Sequence, residues 1–269
     1  MTKRSNYISR ESNAQHSKMP IKYIKIYGER NSGTNFLKQL LTKNTVDVSL
    51  LPNRWGNWKH GFPNLDRDLH LSRKNKTLVV FVIRDLEEWL KSMYKNPYHY
   101  RIGGRDFATF LRDSLDIYEK CPQSDVNINV NEKQDVLSLR YAKIRYYRSI
   151  YDQLAHAVFV NLEDLQKERG LQFIQFVGKV YGIQTGEEFR PVLAHTKCGR
   201  KRCANRTYNL VLPTDLAVDK EQEKFVSTLK ENYLWRSTFK TNDKENGPRE
   251  RHPVLLLRQM QRSTRVKTQ

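Results

Sequence analysis

Two short segments carry residues whose types and spacing suit an anionic ligand. The first is GERNSGTN (28–35), which places Gly28 and Gly33 between an alternating apolar stretch and a helical pattern. Glycines in such a loop let backbone N–H groups converge on an anion, and the N-terminus of the following helix adds its dipole. The spacing Gly28-x4-Gly33 is that of a phosphate-binding loop, yet Thr34 and Asn35 stand where nucleotide hydrolases carry Lys and Ser/Thr. The lysine for the β/γ-phosphates and the hydroxyl for Mg²⁺ are therefore missing. That argues against ATP or GTP hydrolysis and leaves room for an anion site that works without a metal. Taken alone, an ordinary strand–helix turn is an equal explanation.

The second segment is VIRDLEEWLKSMY, in which Arg84 closes an apolar run and Ser92 follows eight residues later. An Arg at the carboxyl end of a strand and a Ser about two turns along the next helix can share one phosphate. The plainer alternative is an internal salt bridge of Arg84 with Asp85 or Glu88. Between the two segments lies WKHGFP (58–63), with Lys59 and His60, and beyond them KNPYH (95–99), with His99. Either histidine has the chemistry of a general base near neutral pH.

The elements that must hold these residues can be read from periodicity. IKYIKIYG (21–28) alternates and stops at glycine, which predicts a strand. Phe36, Leu37, Leu40 and Leu41 have helical spacing. TLVVFVIRD (77–85) has the unbroken apolar character of a buried parallel strand. Helices are predicted over 86–96, ended by Pro97, and over 107–120, 134–153, 171–183 and 220–239, with a third apolar strand over 156–165. Alternating strands and helices imply an α/β fold of P-loop-like, three-layer type: a central parallel sheet flanked by helices. Residues 1–20 read as a flexible basic arm, 21–240 as the α/β domain, and 241–269 as a basic tail with a short helix starting at Pro253.

The chain has 269 residues, enough for a sizeable core, and a formal net charge of +19. Residues 1–25 hold six Lys/Arg against one acid and residues 240–269 eight against three, which leaves about +9 for the body. Such a surface favours anionic partners. Three cysteines (Cys121, Cys198, Cys203) do not form a disulfide framework. No stretch has the length and apolarity of a membrane span, and the N-terminus lacks a secretory apolar region, so the expected location is cytoplasmic.

Together these segments resemble the sulfotransferases that use 3′-phosphoadenosine 5′-phosphosulfate (PAPS). RNSGTNF is similar to that family's 5′-phosphosulfate loop, and the Arg–Ser pair eight residues apart to its 3′-phosphate element. WKHGFP is similar to its Lys- and His-containing segment, and VFVNLEDLQKE to a later strand ending in a Y-E-D-L-type sequence. The order agrees over roughly residues 21–240, and KNPYH points to a microbial or algal branch. The resemblance implies sulfuryl transfer from PAPS to an acceptor hydroxyl or amine, with 3′,5′-adenosine bisphosphate as product and no metal. It implies His60 as base, with His99 in reserve, and Lys59 stabilising the leaving oxygen. It implies Arg30, Asn31, Ser32, Gly33, Thr34 and Asn35 around the 5′-phosphosulfate, the Ser32 and Thr34 hydroxyls included. Phe36 would lie against adenine, Arg84 and Ser92 on the 3′-phosphate, and Arg200 and Lys201 would complete that subsite. Two departures stand out. Asn31 occupies a position where the family has Lys or Arg, which leaves Arg30 or Lys59 to supply the charge. Aligning Pro63 with the family's proline also sets His60 one residue early.

Other constellations compete. His195, Cys198 and Cys203 supply three zinc-type ligands and no fourth. Trp55 and Trp58 suit an acceptor pocket or the core equally. The loops 95–106 and 121–133 are the expected acceptor-binding segments, rich enough in Arg and Tyr for a glycan or a small polar metabolite. A divergent P-loop kinase would require Mg²⁺ and ATP. A basic nucleic-acid-binding protein would explain the charge and the aromatic, basic stretch LRYAKIRYYRSIY but not the ordered motifs. A relative that binds the bisphosphate without catalysis is the remaining alternative, because of Asn31.

Overall fold

A computed structural model describes residues 20–52, 58–63, 75–97, 106–112, 135–151, 153–166, 169–192, 216 and 218–231. Tyr23–Gly28 form β1 and Thr34–Asn44 form α1; the two-residue strand Ser49–Leu50 is β2 and Thr77–Ile83 is β3. The helices α2 (Leu86–Lys95), α3 (Phe107–Arg112) and α4 (Val136–Tyr151) follow. Strand β4 (Ala157–Asn161) runs into a single helical turn, α5 (Leu162–Leu165), then α6 (Arg169–Tyr181) and α7 (Lys220–Glu231).

The four strands make one parallel sheet in the order β2-β1-β3-β4. Gly28 pairs with Val82 and Ile83 with Asn161, so the carboxyl ends of β1, β3 and β4 lie level. Residues of β3 alternate between two cores. Val79, Phe81 and Ile83 pack with Tyr27 against α2, α3, α4 and α7. Leu78, Val80 and Val82 pack with Ile24 and Ile26 against α1 and α6. This is the expected three-layer α/β architecture. All seven residues of β3 are buried because both faces are covered, which is why the run is unbroken in sequence. Each of its larger side chains contributes about 1.5–3 kcal/mol on burial.

Two local expectations change. The alternation in β1 suggests a wet face, yet Lys25 is 2% exposed. Its stem lies in the core, its ammonium donates to the Pro52 carbonyl at 3.2 Å, and it sits 5.2 Å from the Tyr27 ring. The strand expected over 156–165 stops at Asn161. The Asn161 side-chain oxygen accepts from the Glu163 N–H at 3.0 Å and starts the turn α5, with acids in its first turn. The strand β2 was not foreseen; two residues carry no periodicity.

The chain leaves β1 toward β2 on one side and returns to β3 on the other. The crevice of such a sheet opens at the carboxyl ends of β1 and β3, where the connections diverge. The loop 29–33 and Arg84 emerge there.

Candidate functional site

The loop between β1 and α1 is shaped by its two glycines. A Cβ at Gly28 would lie 2.6 Å from the Val82 carbonyl and 2.6 Å from the Ser32 hydroxyl. Gly33 has φ +90°, and a Cβ there would meet Leu162 at 2.4 Å. The turn is closed from within: the Ser32 hydroxyl donates to the Glu29 carbonyl at 2.7 Å and is fully buried. Its proton is thus engaged within the loop itself. Thr34 is buried at the first position of α1, next to Gly28. Phe36 is half-buried against the core cluster of α1 and α6.

No side chain caps α1, and its first turn carries no acid. The first N–H groups of a helix have no acceptor within the helix, so this end presents donors and a positive dipole. Cations gather around it. Lys59 donates to the Asn35 side chain at 2.5 Å. Its pKa is lowered, first by burial and then by the neighbouring charges of Lys38 and Arg30. Arg30 lies over the Trp58 ring at 4.2 Å. A lysine whose charge is disfavoured by burial and by two neighbouring cations, at an uncapped helix start, is an arrangement that an anion would relieve.

His60 lies against the other side of the loop. Its Nδ1 is 2.9 Å from the Gly28 carbonyl and 3.1 Å from the Glu29 carbonyl. Carbonyls only accept, so Nδ1 carries the proton. Burial pulls the ring's pKa down to about 3; the Gly28 hydrogen bond opposes this, and the charges of Lys59, Lys143 and Arg30 reinforce it. The ring is neutral at physiological pH but a poor proton acceptor. Its geometry is that of a clasp joining the 58–63 segment to the loop. The Gly28 N–H to Lys59 carbonyl bond at 2.9 Å and the Tyr147 hydroxyl on the Gly61 carbonyl at 3.1 Å continue the same seam.

Arg84 is where the sequence places it, at the end of β3. Its Nε donates to Glu163 at 3.0 Å, its Nη2 lies 3.7 Å from Glu88, and its Nη1 donates to the Asn31 carbonyl at 3.4 Å. The Glu88 pair was among the alternatives read from sequence; Glu163 was not. The second Glu163 oxygen accepts the Asp85 N–H at 3.3 Å, and Asp85 in turn accepts from the Asn161 amide at 2.8 Å. Arg84 is thus pre-positioned rather than mobile. Asn31, at φ +58°, turns its side chain away from the helix start. The amide points to the carboxyl end of α2, toward the Ser92 carbonyl (3.3 Å), the Met93 sulfur (3.1 Å) and the Asn96 carbonyl (3.0 Å). Asn31 adopts a left-handed backbone, which Asn tolerates.

Beneath both elements runs a buried network that sequence reading missed. Arg140, 0% exposed, donates to Glu29 at 2.6 Å, to Glu223 at 3.2 Å and to the Arg84 carbonyl at 2.8 Å. Its guanidinium lies 4.8 Å from the Trp89 ring, whose N–H donates to the Arg30 carbonyl at 2.7 Å. One guanidinium therefore grips the β1 loop and the end of β3 together. Burial raises the Glu29 carboxyl above its ordinary range, with Arg140 and Lys143 pulling it back. His99, Arg200, Lys201, Trp55, His195 and the three cysteines lie outside the described residues, as do residues 1–19, the tail 241–269 and most of the expected acceptor loops. No helix among the described residues is long and apolar enough to cross a membrane.

Comparison with family models, with curated proteins and with solved structures finds no match to this chain.

Proposed function

We propose that the chain is a sulfotransferase that takes a sulfuryl group from PAPS and passes it to a hydroxyl or amine acceptor. The observation that carries the reading is that the start of α1 and the end of β3 lie side by side. The uncapped helix start with Lys59 and Arg30 nearby, and Arg84 with the helix of Ser92, meet at the crevice of the parallel sheet. Such an arrangement suits a donor with a phosphosulfate at one end and a 3′-phosphate at the other. Electrostatic stabilisation of the departing bisphosphate is then the main catalytic contribution, and it requires donors fixed in advance.

In this reading the amides of Gly33 to Asn35 take the 5′-phosphosulfate. Lys59 stabilises charge on the oxygen that leaves sulfur, and Arg84 with Ser92 takes the 3′-phosphate. His60 holds the loop, and proton removal from the acceptor falls to another group or to solvent. The test is release of ³⁵S from labelled PAPS in the presence of phenols, sugars and amines. Chain-dependent release that persists in EDTA is expected. No release, together with Mg²⁺-dependent ATP turnover, would replace the reading with a kinase.

A further inference from the structure

We infer that Asn31 is a positioning residue that sets the distance between the two phosphate subsites and so determines selectivity for nucleotides phosphorylated at the 3′ position. The inference rests on the proposed donor site. Asn31 touches both members of the Arg84–Ser92 pair through its backbone and its side chain. Its carbonyl accepts from Arg84, and its amide reaches the Ser92 carbonyl and the Asn96 carbonyl just beyond α2. The Ser92 carbonyl already accepts the Asn96 N–H at 2.9 Å, and it and the Asn96 carbonyl beyond the last turn can take a further donor from outside the helix. Here the donor comes from the anion loop, so the end of α2 is referenced directly to the 5′ subsite. The left-handed backbone at φ +58° is what lets one residue face Arg84 with its carbonyl and α2 with its side chain.

A residue that merely held the loop together would affect every ligand of the loop alike. A spacer between subsites affects only ligands that span both. The separation of the two is measurable with adenosine 5′-monophosphate, which fills the loop alone, and 3′,5′-adenosine bisphosphate, which fills both. Asn31→Gly keeps the backbone conformation at no steric cost and deletes the amide. Asn31→Ser keeps a side chain but lacks the amide donor.

Calorimetric titration of both nucleotides tests this on the full chain, on both variants, on Ser92→Ala and on the Asn31→Gly/Ser92→Ala double variant. Both Asn31 variants should lose about tenfold in affinity for the bisphosphate, the scale of one or two hydrogen bonds, and less than about twofold for the monophosphate. In the double variant the two losses should be less than multiplicative, since Asn31 acts through the helix that carries Ser92. Equal losses for both nucleotides, or an unchanged preference for the bisphosphate in the Asn31 variants, would overturn the inference while leaving the donor site standing. An unmutated chain with no preference for the bisphosphate would remove the proposed function and the inference together.

Discussion

His60 offers a prediction that separates a clasp from a base. In the folded chain its ring titrates at about 3, against 6.5 for a solvated imidazole. The unfolded chain therefore binds a proton below pH 6.5 that the folded chain refuses until about pH 3. Stability present above pH 6.5 is lost as the pH falls through this window, by up to about 1.4 kcal/mol per pH unit. Integrated from pH 8 to pH 5, the loss from His60 is about 2 kcal/mol, a ceiling because part of the ring remains accessible. His60→Asn places an amide N–H where Nδ1 stood and cannot titrate. Urea unfolding of both proteins from pH 8 to pH 5 gives the difference. His156, whose pKa burial also lowers, slopes the same way in both and cancels. The variant should be close to the parent in stability at pH 8 and lose about 2 kcal/mol less by pH 5. Parallel pH profiles would refute the buried, neutral clasp and restore His60 as an ordinary titrating base.

Four further outcomes follow from the same geometry. Arg140→Met leaves Glu29 buried without its partner and should cost about 3–5 kcal/mol in urea unfolding, most of it recovered in Arg140→Met/Glu29→Gln. Gly28→Ala sets a methyl against the Val82 carbonyl and should destabilise by about 1–3 kcal/mol and abolish anion binding. Gly182→Ala, left-handed but with nothing within 4 Å, should cost only about 1 kcal/mol of backbone strain and leave binding intact. Lys59→Met should weaken sulfate and nucleotide binding about tenfold and flatten its salt dependence, measured by calorimetry at two ionic strengths.

What the sequence disclosed, and what it hid, follows from the range of the interactions. The β1 strand, its glycine loop and α1 are local features, and each is legible from turn chemistry and spacing. The unbroken run of β3 announces a sheet covered on both faces. The end of β4 was missed: Asn161 followed by Leu-Glu-Asp is a helix start, but the apolar run before it hid the signal. The Glu29–Arg140 pair was not legible: the partners are 111 positions apart, and nothing in the local spacing of either points to the other. Glu163 escaped for the same reason, lying 79 positions from Arg84. Asn31 was visible as a departure from the resembling loops. Its left-handed backbone and its reach to α2 are not written in its neighbours.

The most direct test of the central claim is calorimetric titration of the chain with 3′,5′-adenosine bisphosphate in EDTA and again in Mg²⁺, with ATP as competitor. The account predicts tight binding, unchanged by metal and poorly displaced by ATP. Binding that requires Mg²⁺, or that ATP matches, would contradict it.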